Sequence, residues 1–178
     1  MKKLLKLTFI LFLVCAVTAG ILGVVNELTK DRIEQINIEN TNKAYQSVLA
    51  SESFTDLGYS SDAHPNVDKI SKADNGAGYV VESTFSGAQG MITMVVGLDS
   101  DYNCTGVYVT KHSETSGLGA KAADTNEGAW RENLVGQGDG MKLAKDGGDI
   151  TAISGATITS RAVVTEVQTV INAAKSLG

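Results

Sequence analysis

Proline is nearly absent from this chain: its 178 residues hold one, Pro65, against nineteen glycines. Tight turns must therefore rest on glycine, which also lets backbone come close to a ligand. Two cysteines are too few for a disulfide framework. Cys15 falls in an apolar run and Cys104 in an expected strand, so they are not expected to pair. The two histidines, His64 and His112, are far apart and have no cysteine neighbours, which argues against a metal-ligand cluster. Positive charge is also scarce. The net charge of -5 makes nucleic acid an unsuitable partner. No internal repeat is visible, and the length beyond the N-terminal segment suits one domain with a modest core.

The N-terminus is where apolar residues concentrate. Lys2, Lys3 and Lys6 precede an uncharged run from Leu7 to Val25. At roughly 1.5 Å per helical residue that run spans about 30 Å, the thickness of a bilayer core. Residues 7–25 are therefore expected to form a transmembrane helix. The lysines of residues 1–6 keep that end in the cytoplasm and send the rest of the chain outside. Val17-Thr18-Ala19 resembles a signal-peptidase site, so a cleaved signal is the competing reading. The apolar run continues through Ile21, Leu22, Val24 and Val25, which is long for a signal core, and an uncleaved lipid-embedded anchor is favoured.

Residues 26–50 turn helical and polar. Leu28, Ile33, Ile36, Tyr45 and Val48 give a partial stripe, read as a stalk helix carrying the domain off the membrane; the first helix of the soluble domain is a compatible role. Residues 51–72 are rich in Ser, Asp and Asn and contain Pro65, and read as loop. Three antiparallel strands in meander order follow, at Gly78–Phe85, Met91–Leu98 and Tyr102–Thr110, with a turn at Ser86-Gly87-Ala88-Gln89-Gly90. A short helical patch is expected at Trp130–Leu134. A fourth strand is expected near Met141–Leu143 or Asp149–Ile153. The fold class is α+β: one antiparallel sheet with packed helices, in a domain spanning 51–178.

The most informative segment is Ser154-Gly155-Ala156-Thr157, where a strand-like stretch turns and a helix opens at a cluster of hydroxyls. Val163, Val164, Val167, Val170, Ile171 and Ala174 recur at helical spacing. Arg161, Thr165, Glu166, Gln168, Asn172 and Lys175 are assigned to the opposite, polar face. A helix start offers unpaired N–H groups and the positive end of the dipole, so it favours a phosphate. Composition alone favours an ordinary turn with a helix cap.

The tetrad resembles the flavinylation motif of the FMN-binding domains in bacterial Rnf and Nqr respiratory complexes. His112-Ser113-Glu114-Thr115-Ser116-Gly117-Leu118-Gly119 resembles that family's His-x-Glu-Thr-Pro-Gly-Leu-Gly loop, with Ser116 in place of the usual proline. Two motifs in order, a membrane segment and the length extend the likeness over essentially the whole chain. The resemblance implies covalent FMN, esterified through its phosphate to Thr157. It implies that Ser154, Gly155 and Ala156 leave that hydroxyl accessible to a separate flavin transferase, since the sequence puts no obvious base beside Thr157. It further implies that Glu114, Thr115, Gly117, Leu118 and Gly119 lie near the flavin, with Leu118 packing on the ring and the glycines allowing close approach.

Taken alone, Glu114 reads as a solvated loop charge, His112 as a surface polar residue and Trp130 as a core anchor for its short helix. The resemblance implies an electron-transfer subunit of an Rnf-type ferredoxin:NAD oxidoreductase that couples electron transfer to ion translocation. Such a redox subunit of a translocase needs no substrate pocket of its own, and its partners are the other subunits of the complex. The chain is short for the related Nqr C-type subunit, which stands as one alternative; a stand-alone surface flavoprotein for extracellular electron transfer is another. A non-redox surface module with a plain turn at the tetrad is the third.

Overall fold

The computed structural model describes residues 2–60 and 63–177. Residues 1, 61, 62 and 178, which fall within the N-terminal segment and the domain delimited above, lie outside the described residues. Helix α1 runs Lys2–Val48. The chain forms two compact units, Met1–Asn40 and Thr41–Gly178.

In the first unit Leu5–Lys30 is a 26-residue apolar stretch whose most apolar part is not buried. It is long and apolar enough to cross a membrane. Phe9, Leu11, Phe12 and Leu22 are all exposed, so the apolar surface runs round the helix rather than forming one stripe. Thr18 and Thr29 return their hydroxyls to the carbonyls of Val14 and Val25, at 2.9 and 2.8 Å, which satisfies a polar group that lipid would leave unpaired.

The second unit is built on five antiparallel strands in chain order: β1 (Phe54–Asp56), β2 (Val67–Ala73), β3 (Gly78–Ser86), β4 (Met91–Asp99) and β5 (Cys104–Lys111). The expected three-strand meander is β3–β5. The first two strands fall in 51–72, which the sequence presents as loop. In β2 the inward positions include Ser71 as well as Val67, Ile70 and Ala73, and a register shift between Val67 and Lys69 breaks the two-residue period. The expected fourth strand is a single parallel bridge between Leu143 and Ile150. A 3-10 turn at Ala144–Asp146 and the left-handed Gly147 interrupt it, and the two apolar residues serve as buried plugs.

Both sheet faces are covered, which explains the near-continuous apolar run of β4. Helix α2 (Thr157–Lys175) lays Val163, Val167, Val170 and Ile171 in one core with Val81, Met94 and Val96. On the other face the final turns of α1 place Ala44, Tyr45, Val48 and Leu49 in a second core with Ala73, Val80 and Val95. Tyr45 donates its hydroxyl to Glu82 at 2.5 Å, and the Thr105 hydroxyl donates to the Val48 carbonyl at 2.5 Å, which satisfies an orphan acceptor at the helix end. Burial pushes the Tyr45 hydroxyl pKa upward, and the neighbouring Glu82 carboxylate pushes it the same way.

Glu166 departs from its expected place on the polar face of α2. It is 3% exposed, with Ser83 donating to Oε1 at 2.5 Å and Asn66 to Oε2 at 2.9 Å. Those partners lie 83 and 100 residues away along the chain, beyond any helical periodicity.

Candidate functional site

The tetrad closes a tight turn. The Ala156 amide donates to the Ile153 carbonyl at 3.0 Å, and Gly155 takes a φ of +76°, a conformation that favours glycine. A side chain at Gly155 would also press on Leu118 of the facing loop. The Ser160 hydroxyl fastens the turn from inside: it accepts the Ile153 amide and donates to the Ala156 carbonyl, both at 2.9 Å. Helix α2 then begins at Thr157, and no side chain caps it. Its first-turn amides thus keep the open donor character that suits an anion.

The three hydroxyls at this helix start have different surroundings. Ser160 and Thr159 are fully buried and hydrogen-bonded inward. Thr157 is half-buried and lines a cleft of about 350 Å³, at the small end of the range for ligand clefts. One wall is Gly155 to Thr159; another is Glu114, Thr115, Leu118 and Gly119; the third is Ala88 and Gln89 of the β3–β4 turn. Two segments that resemble the flavin-site motifs, 42 residues apart from Thr115 to Thr157, thereby share one concavity. Ser154 and Gly117 are exposed and do not line it; Gly117, at φ +77°, shapes the Thr115–Leu118 turn, in which the Leu118 amide donates to the Thr115 carbonyl at 3.1 Å. Leu118 is 43% exposed and Ile158 65%, so the cleft carries an apolar lip beside its row of amides.

Glu114 is not the solvated loop charge that its position suggests. It is 9% exposed, and its carboxylate accepts from the amides of Ala88 (2.8 Å) and Gln89 (3.0 Å) and from the Thr159 hydroxyl (2.7 Å). Burial pushes its pKa up; the hydrogen bond from Thr159, those from the two amides and the proximity of His112 together outweigh burial and hold the carboxyl below its ordinary value. His112 is exposed and accepts the Glu114 amide on Nδ1 at 3.2 Å. Trp130 does not line the cleft: its indole N–H donates to the Thr151 carbonyl at 2.6 Å and its ring packs on the main core, steadying the approach to the tetrad.

Ala88, Gln89, Ile158 and Thr159 enter the cleft without a sequence cue of their own. The Ser86–Gly90 turn is visible as a turn, but its approach to residues 114 and 159 is set by tertiary packing.

Residues 87–172 match the family model for the FMN-binding domain, and residues 1–48 match the model for the RnfG N-terminal region. The chain is 34% identical to the G subunit of the ion-translocating oxidoreductase complex of Methanosarcina acetivorans, over 92% of this chain and 90% of that one. The chain belongs to this G-subunit family. It is also 31% identical to the G subunit of the Na(+)-translocating ferredoxin:NAD(+) oxidoreductase complex of Acetobacterium woodii, over 99% and 94% of the two chains. The crystal structure of the C subunit of Na(+)-translocating NADH-quinone reductase from Parabacteroides distasonis superposes with a TM-score of 0.50 at 18% identity, covering 78% of this chain and 81% of that one, and shares the fold. The cleft and both of its motif-bearing walls from Ala88 to Thr159 lie inside the span of the FMN-binding domain. The apolar helix of this family member fits a membrane anchor.

The residues present fit FMN. An uncapped helix start supplies amides for a phosphate, the Thr157 hydroxyl sits among them, and Leu118 and Ile158 offer apolar surface to a ring.

Proposed function

We propose that this chain is the membrane-anchored electron carrier of an Rnf-type ferredoxin:NAD oxidoreductase, with FMN joined through its phosphate to Oγ1 of Thr157. The observation that carries this reading is half-buried Thr157 lining a cleft, at the uncapped start of α2, within an FMN-binding domain. Bound FMN supplies one- and two-electron chemistry, so the chain needs no substrate pocket. The first-turn amides of α2 favour the phosphate. Gly155 and Ala156 keep the approach to Thr157 open, with Ser154 on the exposed side of the same turn. Thr115, Leu118 and Gly119 form the opposite wall, and Gly117 turns the loop that carries them. A permanent ester suits a carrier outside the cytoplasm, where a dissociated cofactor would be lost. A separate flavin transferase installs it, and Lys3 and Lys6 hold the N-terminus on the cytoplasmic side, with residues 7–25 in lipid and the domain beyond them.

Intact-mass measurement and in-gel flavin fluorescence of denatured protein, from cells with the maturation machinery, test the assignment. Wild type is expected to carry one added FMN, Thr157→Val none and Thr157→Ser a reduced amount. Fluorescence on the denatured Thr157→Val band overturns it. The fold shared with the reductase structure favours a second reading, an Nqr C-type role. The match to the RnfG N-terminal region weighs for the first. Co-purification with multi-spanning subunits separates both from a stand-alone surface flavoprotein.

A further inference from the structure

The Glu114 carboxylate joins three segments remote in the chain. Its Oε1 accepts the amides of Ala88 and Gln89, and its Oε2 accepts the Thr159 hydroxyl. Its own amide is held by Nδ1 of His112. Space around it is equally specific. A Cβ on Gly87 would collide with Oε1, and a Cβ on Gly119 would collide with Oε2 and with the Thr159 hydroxyl. A charge meant for solvent needs no glycine on either side, whereas this one is enclosed by two. Thr159 is 1% exposed and stands two positions after Thr157 on the first turn of α2. Side chains two apart on a helix point in different directions. Fixing Thr159 inward onto Glu114 therefore fixes the rotation of that turn, and with it the placement of Thr157 on the wall of the cleft.

We propose that the Glu114–Thr159 pair is a latch that orients the first turn of α2 so that Thr157 is presented for flavin attachment, with Glu114 a positioning residue rather than a ligand of the ring. The proposal rests on Thr157 being the attachment point. In the step it serves, the O–H bond of Thr157 breaks and an Oγ–P bond forms to the flavin-side phosphorus of a flavin phosphoanhydride brought by the transferase. The anhydride P–O bond breaks, the other phosphate leaves with the electron pair, and the hydroxyl proton passes to solvent or a transferase base. An acceptor hydroxyl held in one orientation reacts faster than one sampling many.

The test is the rate of FMN incorporation into the full chain, co-expressed with its transferase and read by intact mass, for Thr159→Val, Thr159→Ser, Glu114→Ala and the Glu114→Ala/Thr159→Val double variant. Thr159→Val keeps the shape and loses the donor. It is expected to load roughly tenfold more slowly, the scale of one lost hydrogen bond to a charged group, and Thr159→Ser to load as wild type does. Because the two residues act as one unit, the double variant is expected to be no slower than the slower single one. Amide exchange at Ala88, Gln89 and the start of α2 in flavin-free protein is expected to quicken with Val and not with Ser at 159. Thr159→Val loading at the wild-type rate, or Val and Ser slowing it equally, overturns the latch, as does additive slowing in the double variant. Wild type that gains no FMN mass while folded overturns the attachment reading itself, and the latch with it.

Discussion

At the scale of single residues, the site is a problem of sorting hydroxyls and charges. Three hydroxyls crowd the start of α2, and burial with inward hydrogen bonds distinguishes Thr159 and Ser160 from Thr157 on the cleft. The depressed carboxyl of Glu114 gives a pH signature. Its folded value lies below the ordinary 4.5, so its contribution to stability is complete above that value and disappears as pH falls through the folded one. Glu114→Gln, which keeps the shape without the charge, is expected to flatten that acid limb. Melting midpoints of the full chain in detergent, compared at about pH 7 and about pH 3, check it; equal acid losses in both proteins refute it. The tetrad and the 112–119 loop were legible as motifs. The inward carboxylates were not, because the donors that satisfy Glu114 and Glu166 come from strands, turns and a helix distant in sequence, and an isolated Glu looks the same whether it faces water or Ser83.

At the scale of elements, legibility follows apolar periodicity. Strands β3–β5 and helix α2 bury enough Val, Ile, Met and Leu to declare themselves. Strand β2 does not, with a buried serine and a register shift in seven residues. The end of α1 is a case of double assignment: 26–50 reads as stalk, yet Thr41 onward belongs to the sheet-bearing unit. A fragment of residues 41–178 is therefore expected to fold and a fragment of 51–178 to fail. Removing Val48 and Leu49 from the second core forfeits about 3–6 kcal/mol of burial at about 1.5–3 each, against a total stability of about 5–15. Circular dichroism and urea melts of the two fragments decide; a cooperative 51–178 would show that the α1 end is dispensable.

At the scale of the whole molecule, an apolar helix precedes an FMN-binding domain in the chain. If the domain faces outward, a protease site inserted after Lys30 is cut by enzyme added to intact, wall-permeable cells, and, if FMN is esterified to Thr157 as proposed, the shed domain carries the flavin fluorescence. Protection from outside with cleavage in inverted vesicles would reverse the orientation. The family was recoverable from the sequence because its two motifs are local. The cleft uniting them was not, since its third wall is the β3–β4 turn, brought there by the sheet.

Cys104 is 1% exposed at the start of β5, and burial pushes its thiol up to about 12. The other cysteine of the chain, Cys15, lies in the apolar helix. Maleimide reagents in water thus meet a domain with no reactive sulfur. A cysteine introduced at exposed Glu127 becomes the one accessible thiol of the domain, and replacing exposed Cys15 with Ser makes it the sole labelling handle of the chain. If the domain carries FMN as proposed, a dye placed there whose emission overlaps the absorption of oxidised isoalloxazine dims and brightens with the redox state of the flavin.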